Sequence, residues 1–257
     1  MWRNRLWRSI QRWQGIALVI AALVATVWLA WTNQLILYIN PSYIVFTVIM
    51  GAIGLVFVVA SFVTKADHDH DHDLDEPRRG FSGPLSVVAT LLTLFVAVGL
   101  VVVPPATLTT ATADQRVVNS TGVGTGTKTV GAAASVPTGA FAKFTVADWS
   151  SLLRQTTDAS FYQNKTADVV GFISKDPDDP DNVFYVTRFV ITCCAVDAQP
   201  VGVPVYMPNW KSTLHPDQWV KVAGTFDTNP SSKSQQAIAL VPTSTTKVDQ
   251  PSDPYLY

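Results

Sequence analysis

The sequence predicts a helical membrane half followed by a small all-β domain, and three observations carry this prediction. Residues 1–106 contain three long apolar stretches, none of which includes a charged residue. Residues 141–257 contain one short amphipathic segment and five short apolar segments separated by turn residues. The chain is 48% hydrophobic and only 14% charged, whereas about a quarter of the residues of a soluble protein are charged.

The three apolar stretches lie at residues 15–31, 42–63 and 84–103. A hydrocarbon core of about 30 Å needs about 20 apolar residues in an α-helix, and each stretch is close to that length. The third stretch begins with Pro84 and stops at a pair of prolines, which is typical of helix boundaries. A cleaved signal peptide is the alternative for the first stretch, although its apolar run is long for one. We therefore expect three transmembrane helices.

Basic residues in the short loops predict the orientation of these helices. Four arginines lie among the first twelve residues, and Lys65, Arg78 and Arg79 lie between the second and third stretches. The loop at residues 32–41 contains no Lys or Arg. Because Lys and Arg accumulate in cytoplasmic loops, we expect the N-terminus and the 64–83 loop on the cytoplasmic side of a bacterial cytoplasmic membrane. The C-terminal domain would then be extracytoplasmic.

The loop at residues 64–83 contains an alternating run of Asp and His. In an extended segment this alternation places the histidines on one side. Imidazole nitrogen and carboxylate oxygen are ligands for zinc and other divalent transition metals. We expect loose, exchangeable metal binding by His68, His70, His72, Asp69 and Asp71. The alternative is a solvated acidic loop whose histidines bind nothing.

Residues 107–140 are rich in Thr, Gly, Ala and Ser without apolar periodicity, which predicts a flexible linker. In the following domain, 141–257, Asp148 is the predicted N-cap of one short helix. Five strands are predicted at residues 166–174, 183–192, 201–207, 218–226 and 237–241. This set of elements predicts an OB-like five-stranded barrel, with a β-sandwich fragment as the alternative.

The two cysteines of the chain, Cys193 and Cys194, follow the second predicted strand. In a regular strand their side chains point to opposite faces, so we expect them not to share one metal ion. Cys194 with Asp197 and His215 is a candidate metal site, and the alternative is that one cysteine packs in the core. No nucleophile motif, Gly-rich phosphate loop or catalytic carboxylate pair is recognisable, so we expect no enzymatic activity. A net charge of −1 gives no basis for nucleic-acid binding.

Four features of the chain are characteristic of a known family: the apolar N-terminal half, the His/Asp loop, residues 188–205 (RFVITCCAVDAQPVGVPV), and residues 219–226 (WVKVAGTF) followed by the terminal DPYLY. On these features the chain resembles the YcgQ-like family of bacterial membrane proteins. In the family, the run after Arg-Phe ends in a single cysteine shortly before an Asp. Cys194 and Asp197 match that pattern and Cys193 departs from it. The resemblance implies a companion of a multi-span permease, the pair moving or handling a metal ion.

Two hypotheses follow. The first is a non-enzymatic accessory subunit of a membrane permease, embedded in the lipid bilayer, with zinc as the expected ion of the His loop. The alternative is a stand-alone membrane-anchored binding module whose β domain recognises a peptide or glycan. A redox or metal-dependent enzyme using Cys194, Asp197 and His215 has less support, because no nucleophile is matched to a general base.

Overall fold

The structure is a computed structural model that describes residues 19–63, 107–120 and 128–257, together with positions 88, 92, 95 and 99. The chain divides into two compact units. The first comprises Met1–Ile36 and Pro41–Pro105, and the second comprises Leu37–Asn40 and Ala106–Tyr257. The short segment Leu37–Asn40 therefore belongs to the second unit, although both of its neighbours in the chain belong to the first.

Two apolar helices are described in the first unit. The described part of helix α1 covers Val19–Trp31. A 3-10 turn at Pro41–Tyr43 leads into helix α2, which covers Ile44–Val63. Helix α1 ends two residues before Asn33, whose φ of 56° is a left-handed conformation that stops a helix.

The prediction of three transmembrane helices is wrong. Among the described residues, one helix is long and apolar enough to cross a membrane, at Pro41–Val58 with a mean hydropathy of 2.1. The described part of α1 is shorter, since its residues rise about 20 Å at roughly 1.5 Å each, less than the roughly 30 Å of a hydrocarbon core. In the third stretch, 84–103, four positions are described as helical and the others lie outside the described residues. Among the described residues, apolar composition alone therefore predicted more membrane-spanning helices than the structure contains.

The second unit contains a six-stranded sheet. Its strands are β1 (Thr166–Lys175), β2 (Val183–Val190), β3 (Gln199–Tyr206), β4 (Trp219–Thr228), β5 (Ile238–Lys247) and β6 (Tyr255–Leu256). Their order is β1-β4-β5-β3-β2-β6, and β1 also pairs with β2, so the first five strands form a closed ring. The two residues of β6 pair in parallel with the end of β2. The prediction of a five-stranded sheet is therefore wrong, because the sheet has six strands. The sixth has only two residues, too few for a periodic pattern in the sequence.

Four short α-helices accompany the sheet in the described part of this unit: α3 (Thr110–Ala113), α4 (Val130–Ala134), α5 (Val146–Gln155) and α6 (Ala159–Tyr162). Helix α5 starts earlier than predicted, because Thr145 rather than Asp148 is its N-cap. The Asp148 N–H donates to the Thr145 hydroxyl (3.2 Å), and the Asp148 carboxylate accepts from the Thr145 N–H (2.9 Å). This reciprocal pair is a capping box.

The main core lies between α5 and the inner faces of the strands. Trp149 of α5 is fully buried, and its ring lies 4.7 Å from Phe226, 5.2 Å from Phe144 and 5.8 Å from Phe141, measured between centroids. The strands contribute mainly β-branched side chains, as strands of a half-buried sheet do. Buried members include Leu152, Val169, Val186, Val203, Val222 and Leu240.

The described parts of the expected flexible linker, 107–140, are bound to the β unit. Asp217 accepts hydrogen bonds from the N–H (2.6 Å) and the hydroxyl (2.7 Å) of Thr110. Asn119 donates to the Gly202 carbonyl (2.9 Å) and accepts from the Gly202 N–H (2.8 Å). Ala133 is fully buried in the main core. Small side chains therefore pack here, although their pattern carries no apolar period.

Candidate metal and thiol site

The two cysteines lie just after the end of β2. This strand ends at Val190, and the chain then turns into a 3-10 turn at Ala195–Asp197. The expectation that the two side chains point to opposite faces is wrong, because the alternation of a strand does not continue beyond its end. The sulfur atoms of Cys193 and Cys194 lie 3.6 Å apart, and both residues are free thiols.

Asp197 closes the turn that carries both cysteines. Its carboxylate accepts hydrogen bonds from the backbone N–H groups of Thr192 (3.1 Å), Cys193 (2.7 Å) and Cys194 (3.4 Å). Partial burial acts to raise the pKa of Asp197, but the hydrogen bonds from the Cys193 thiol and these N–H groups outweigh it and leave the pKa lowered. Asp197 is therefore a carboxylate at neutral pH and fixes the loop.

Cys193, Cys194 and Asp197 form a group of potential metal ligands. Their sulfur and carboxylate oxygen atoms lie within 4.8 Å of one another. Cys193 is exposed, while Cys194 and Asp197 are half-buried. The hydrogen bond from the Cys193 thiol to Asp197, with the neighbouring Cys194, raises the pKa of Cys193 to about 12. The Cys193 thiol is thus protonated at neutral pH.

A second, smaller apolar cluster supports this loop, and we call it the cysteine-end cluster. It brings together chain segments that are far apart in the sequence. Its buried members are Ala113, Phe172, Phe189, Ile191, Ala198 and Tyr255, and Leu37, Leu108 and Trp219 pack against it.

The segment Tyr38–Asn40 lies alongside the cysteines, and we call it the interhelix segment because it joins α1 to α2 in the chain. The Asn40 N–H donates to the Cys193 carbonyl (3.0 Å), and the Ala195 N–H donates to the Tyr38 carbonyl (2.8 Å). These two bonds form an antiparallel bridge between Ile39 and Cys194. The Asn40 side chain also donates to the carbonyls of Ile191 and Thr192, at 3.2 Å each. Both sides of the dithiol are thereby tied to this segment.

The structure brings together only part of the predicted outer site. Cys194 and Asp197 meet, but His215 does not belong to the group. His215 lies in the turn before β4, where its N–H donates to the Gln218 side chain (3.2 Å). The alternative was that one cysteine packs in the core, but Cys194 is half-exposed and Cys193 is exposed. The His-loop residues 67–73 lie outside the described residues, so their metal binding stays a prediction.

Sequence reasoning missed Cys193 as a partner of Cys194. The signal that would have revealed it is the Asp four residues after Cys193, a spacing at which a carboxylate caps a tight turn.

Sequence reasoning also missed the role of Arg188, which is 9% exposed and donates to the backbone carbonyls of Asp253 and Tyr255. Its guanidinium lies 5.3 Å from the ring centroid of Trp219. Arg188 therefore holds the C-terminal segment beside the cysteine-end cluster.

A polar groove of about 710 Å³ also lies on the β unit. It is bounded by residues 113–118, by the β1–β2 loop and by the β4–β5 loop. Its polar lining includes Arg116, Lys175, Asp176, Asp178, Tyr185 and Gln236. The Arg116 guanidinium donates to the Val196 carbonyl (3.0 Å), while its Nη1 is buried without a hydrogen-bond partner among the described residues.

Sequence comparison identifies the family. Residues 14–119 match the DUF1980 N-terminal domain, and residues 142–257 match the DUF1980 C-terminal domain. No curated protein matches the chain. The first match ends at Asn119, whose side chain is bonded to Gly202 of the second. Both domains are present in sequence order, and the chain belongs to the DUF1980 family, whose function is not established.

Proposed function

We propose that this chain is a non-enzymatic, membrane-anchored accessory protein that binds a divalent metal ion, zinc first, for a multi-span permease. The observation that carries the proposal is the spacing of the two sulfurs. Tetrahedral zinc with Zn–S bonds of about 2.3 Å holds two thiolates about 3.8 Å apart. The sulfurs of Cys193 and Cys194 are already 3.6 Å apart, so both can reach one ion with little movement.

The ligand set fits an ion that is passed on. Cys193, Cys194 and Asp197 supply three ligands, and a tetrahedral ion then keeps one open position. A closed structural site uses four protein ligands instead. Because Cys193 is exposed, the open position is accessible to a second ligand donor from a partner protein. The ion is then cargo, and this site is a transfer point.

The interhelix segment supports an extracytoplasmic site. The loop at residues 32–41 contains no Lys or Arg, and by the distribution of basic residues this predicts a position outside the cytoplasm. Its Tyr38–Asn40 part is hydrogen-bonded to the cysteine loop. We therefore expect the β unit on the same side as this loop, whatever the number of helices that follow α2.

The permease as a partner rests on two supports. The first is the resemblance to YcgQ-like proteins, which are companions of a predicted permease. The second is the sequence of α2, Ile44–Val63, which contains no charged residue. Intramembrane ion pathways ordinarily use charged or ionisable side chains, so transport would need another protein. The His-loop residues would then bind the same ion on the cytoplasmic side.

The metal-binding test uses the full chain in detergent and Co²⁺ as a probe for zinc. Thiolate ligation gives an intense sulfur-to-cobalt charge-transfer band, which histidine and carboxylate ligation do not give. We expect this band in the wild type and in a variant with His68, His70 and His72 replaced by Gln. We expect no band in the Cys193→Ser/Cys194→Ser double variant. A wild type without the band, or a double variant that keeps it, would reject the cysteine site.

The partner test is chemical cross-linking in the native host followed by identification of the linked protein. Val196, which is 82% exposed beside the site, is replaced by a photoreactive residue. We expect this residue to form a cross-link to a multi-span membrane protein. A photoreactive residue at the exposed Asp181, just before β2 and therefore at the opposite end of that strand from the cysteines, is the matched control and should give less product. Equal yields at both positions, or a product that is not a multi-span protein, would reject the permease partner.

One observation favours the alternative, a stand-alone module that binds a peptide or glycan. The groove of about 710 Å³ is large enough for several residues of such a ligand and contains the unpaired Arg116 nitrogen. A glycan and peptide array probed with the full chain tests this. Binding that is lost in Arg116→Gln and kept in the cysteine double variant would favour the module. If the wild type binds no glycan or peptide on the array, the module is rejected.

A further inference from the structure

Cys193 and Cys194 are the only cysteines in the chain, and they are neighbours in sequence and in space. Their sulfurs lie 3.6 Å apart, whereas a disulfide bond is about 2.05 Å long. Closing the bond therefore requires a movement of roughly 1.5 Å, which side-chain rotation and a small backbone shift can supply. No other cysteine competes for either sulfur within one molecule.

A bond between adjacent cysteines is strained. Neighbouring Cα atoms are about 3.8 Å apart, while ordinary disulfides join Cα atoms about 4.4–6.8 Å apart. Strain makes a disulfide easier to reduce, and labile disulfides serve regulation rather than structural stability. The pair also closes too small a ring to restrict the unfolded chain, so it adds little stability to the fold.

We propose that Cys193 and Cys194 form a reversible dithiol–disulfide couple that switches the metal site off and loosens the interhelix segment. The oxidant is an external disulfide, R–S–S–R. One cysteine, as its thiolate, attacks the external disulfide and releases one RS⁻. The second cysteine then displaces the other RS⁻ and closes the Cys193–Cys194 bond. Two electrons and two protons leave the protein and appear in two molecules of RSH.

The position of the pair gives this reaction two consequences. The disulfide has no thiolate to offer, so the metal group loses two of its three ligands. The peptide bond between the cysteines must also turn, and its Cys193 carbonyl accepts the Asn40 N–H at 3.0 Å. That hydrogen bond is therefore expected to break or lengthen on oxidation. The first consequence rests on the proposed metal-binding function, whereas the couple itself and the second consequence do not.

The experiment equilibrates the full chain, stripped of metal by a chelator, in mixtures of reduced and oxidised glutathione. Trypsin then releases one peptide, 189–211, which contains both cysteines. We expect this peptide to lose two hydrogen masses in oxidised glutathione and to regain them in reduced glutathione. Cys193→Ser and Cys194→Ser are matched controls, and each should instead gain one glutathione. A wild type that gains glutathione, forms linked dimers or stays reduced would overturn the couple.

Two further readouts use the same samples. Hydrogen exchange at residues 38–40 should become faster on oxidation by about tenfold or more in the wild type and should not change in either single variant. An unchanged exchange rate in a fully oxidised wild type would overturn the link to the interhelix segment.

The sulfur-to-cobalt band should appear in the reduced protein and vanish on oxidation. If a reduced protein gives no band but still forms the disulfide, the metal function fails and the couple stands. A band that survives complete oxidation would overturn the switch.

Discussion

The main core and the cysteine end of the β unit are built in different ways. The main core joins α5 to five long strands, and along β4 every second residue from Val220 to Phe226 is buried. The cysteine-end cluster instead collects single residues from α3, β1, the end of β2 and the C-terminal β6. The first depends on regular elements, and the second depends on contacts between distant parts of the chain.

The polar groups of the two regions differ in the same way. In the main core the indole nitrogen of Trp149 is buried without a hydrogen-bond partner among the described residues, so this ring contributes through packing. At the cysteine end, hydrogen bonds to Asp197 and to the interhelix segment fix the backbone. The core is thus expected to govern stability, and the cysteine end is expected to govern reactivity.

The largest expected effect is on the reactivity of Cys193. Its pKa is raised to about 12, first by the hydrogen bond from its thiol to Asp197. Only the thiolate reacts with alkylating reagents, and an ordinary thiol has a pKa of about 8.5. At pH 8 the thiolate fraction is then roughly a thousandfold below that of an ordinary cysteine. The rate should rise about tenfold per pH unit up to about pH 12, measured by mass spectrometry of peptide 189–211.

Asp197→Asn is the control for that prediction. The amide oxygen keeps an acceptor for the backbone N–H groups but removes the negative charge beside the thiol. The pKa of Cys193 should fall, and its alkylation at pH 8 should become at least tenfold faster. A wild-type rate that already levels off near pH 9 would show that Asp197 does not hold the Cys193 proton.

The next effect concerns the main core. Trp149→Ala removes a fully buried ring and should lower the free energy of unfolding by about 4 kcal/mol. Trp149→Phe should cost less than half of that, because the lost indole nitrogen has no hydrogen-bond partner to leave unpaired. The measurement is chemical denaturation of the full chain followed by far-ultraviolet circular dichroism. Similar losses for the two variants would mean that the ring contributes through a polar contact.

This difference between the regions explains which features could be predicted from the sequence. The five segments predicted as strands overlap β1 to β5, because β-branched runs and turn residues are local signals. Strand β5 extends to Lys247, beyond its predicted end, since its outer half is polar. Strand β6 and the ordering of residues 107–120 depend on distant partners such as Arg188 and Asp217. No local sequence pattern predicts such contacts.

The candidate site divides along the same line. The sequence identified Cys194 and Asp197, but it joined them to His215 and separated them from Cys193. The separation from Cys193 came from extending β2 beyond Val190. The strand ends just before residues 192–194, whose N–H groups donate hydrogen bonds to the Asp197 carboxylate. A capping carboxylate acts through the turn it closes, and a periodicity of two does not reveal it.

A smaller effect separates two valines of the β ring. Val222 on β4 is fully buried and pairs with Val169 on β1. The next residue of β1, Val170, is only half-buried. Val222→Ala should lower the free energy of unfolding by about 2 kcal/mol, from lost burial and the remaining cavity. Val170→Ala should cost less than about 1 kcal/mol. Equal losses would show that both positions belong to one packed layer, contrary to the assignment of Val222 alone to the main core.

The smallest expected effect on global stability concerns Asn40. Asn40→Ala removes two side-chain hydrogen bonds, to the Ile191 and Thr192 carbonyls, and leaves the backbone bridge in place. Hydrogen bonds of this kind contribute about 1 kcal/mol each at most when they are accessible to water, so the unfolding midpoint should barely move. Hydrogen exchange at residues 38–40 and 193–195 should nevertheless become several-fold faster, because the segment opens locally. Tyr38→Ala is the matched control, since Tyr38 is bonded to the loop through its carbonyl and its side chain is 39% exposed. If Asn40→Ala lowers global stability as much as Val222→Ala does, the interhelix segment is part of the folding core and not an attachment to the cysteine end.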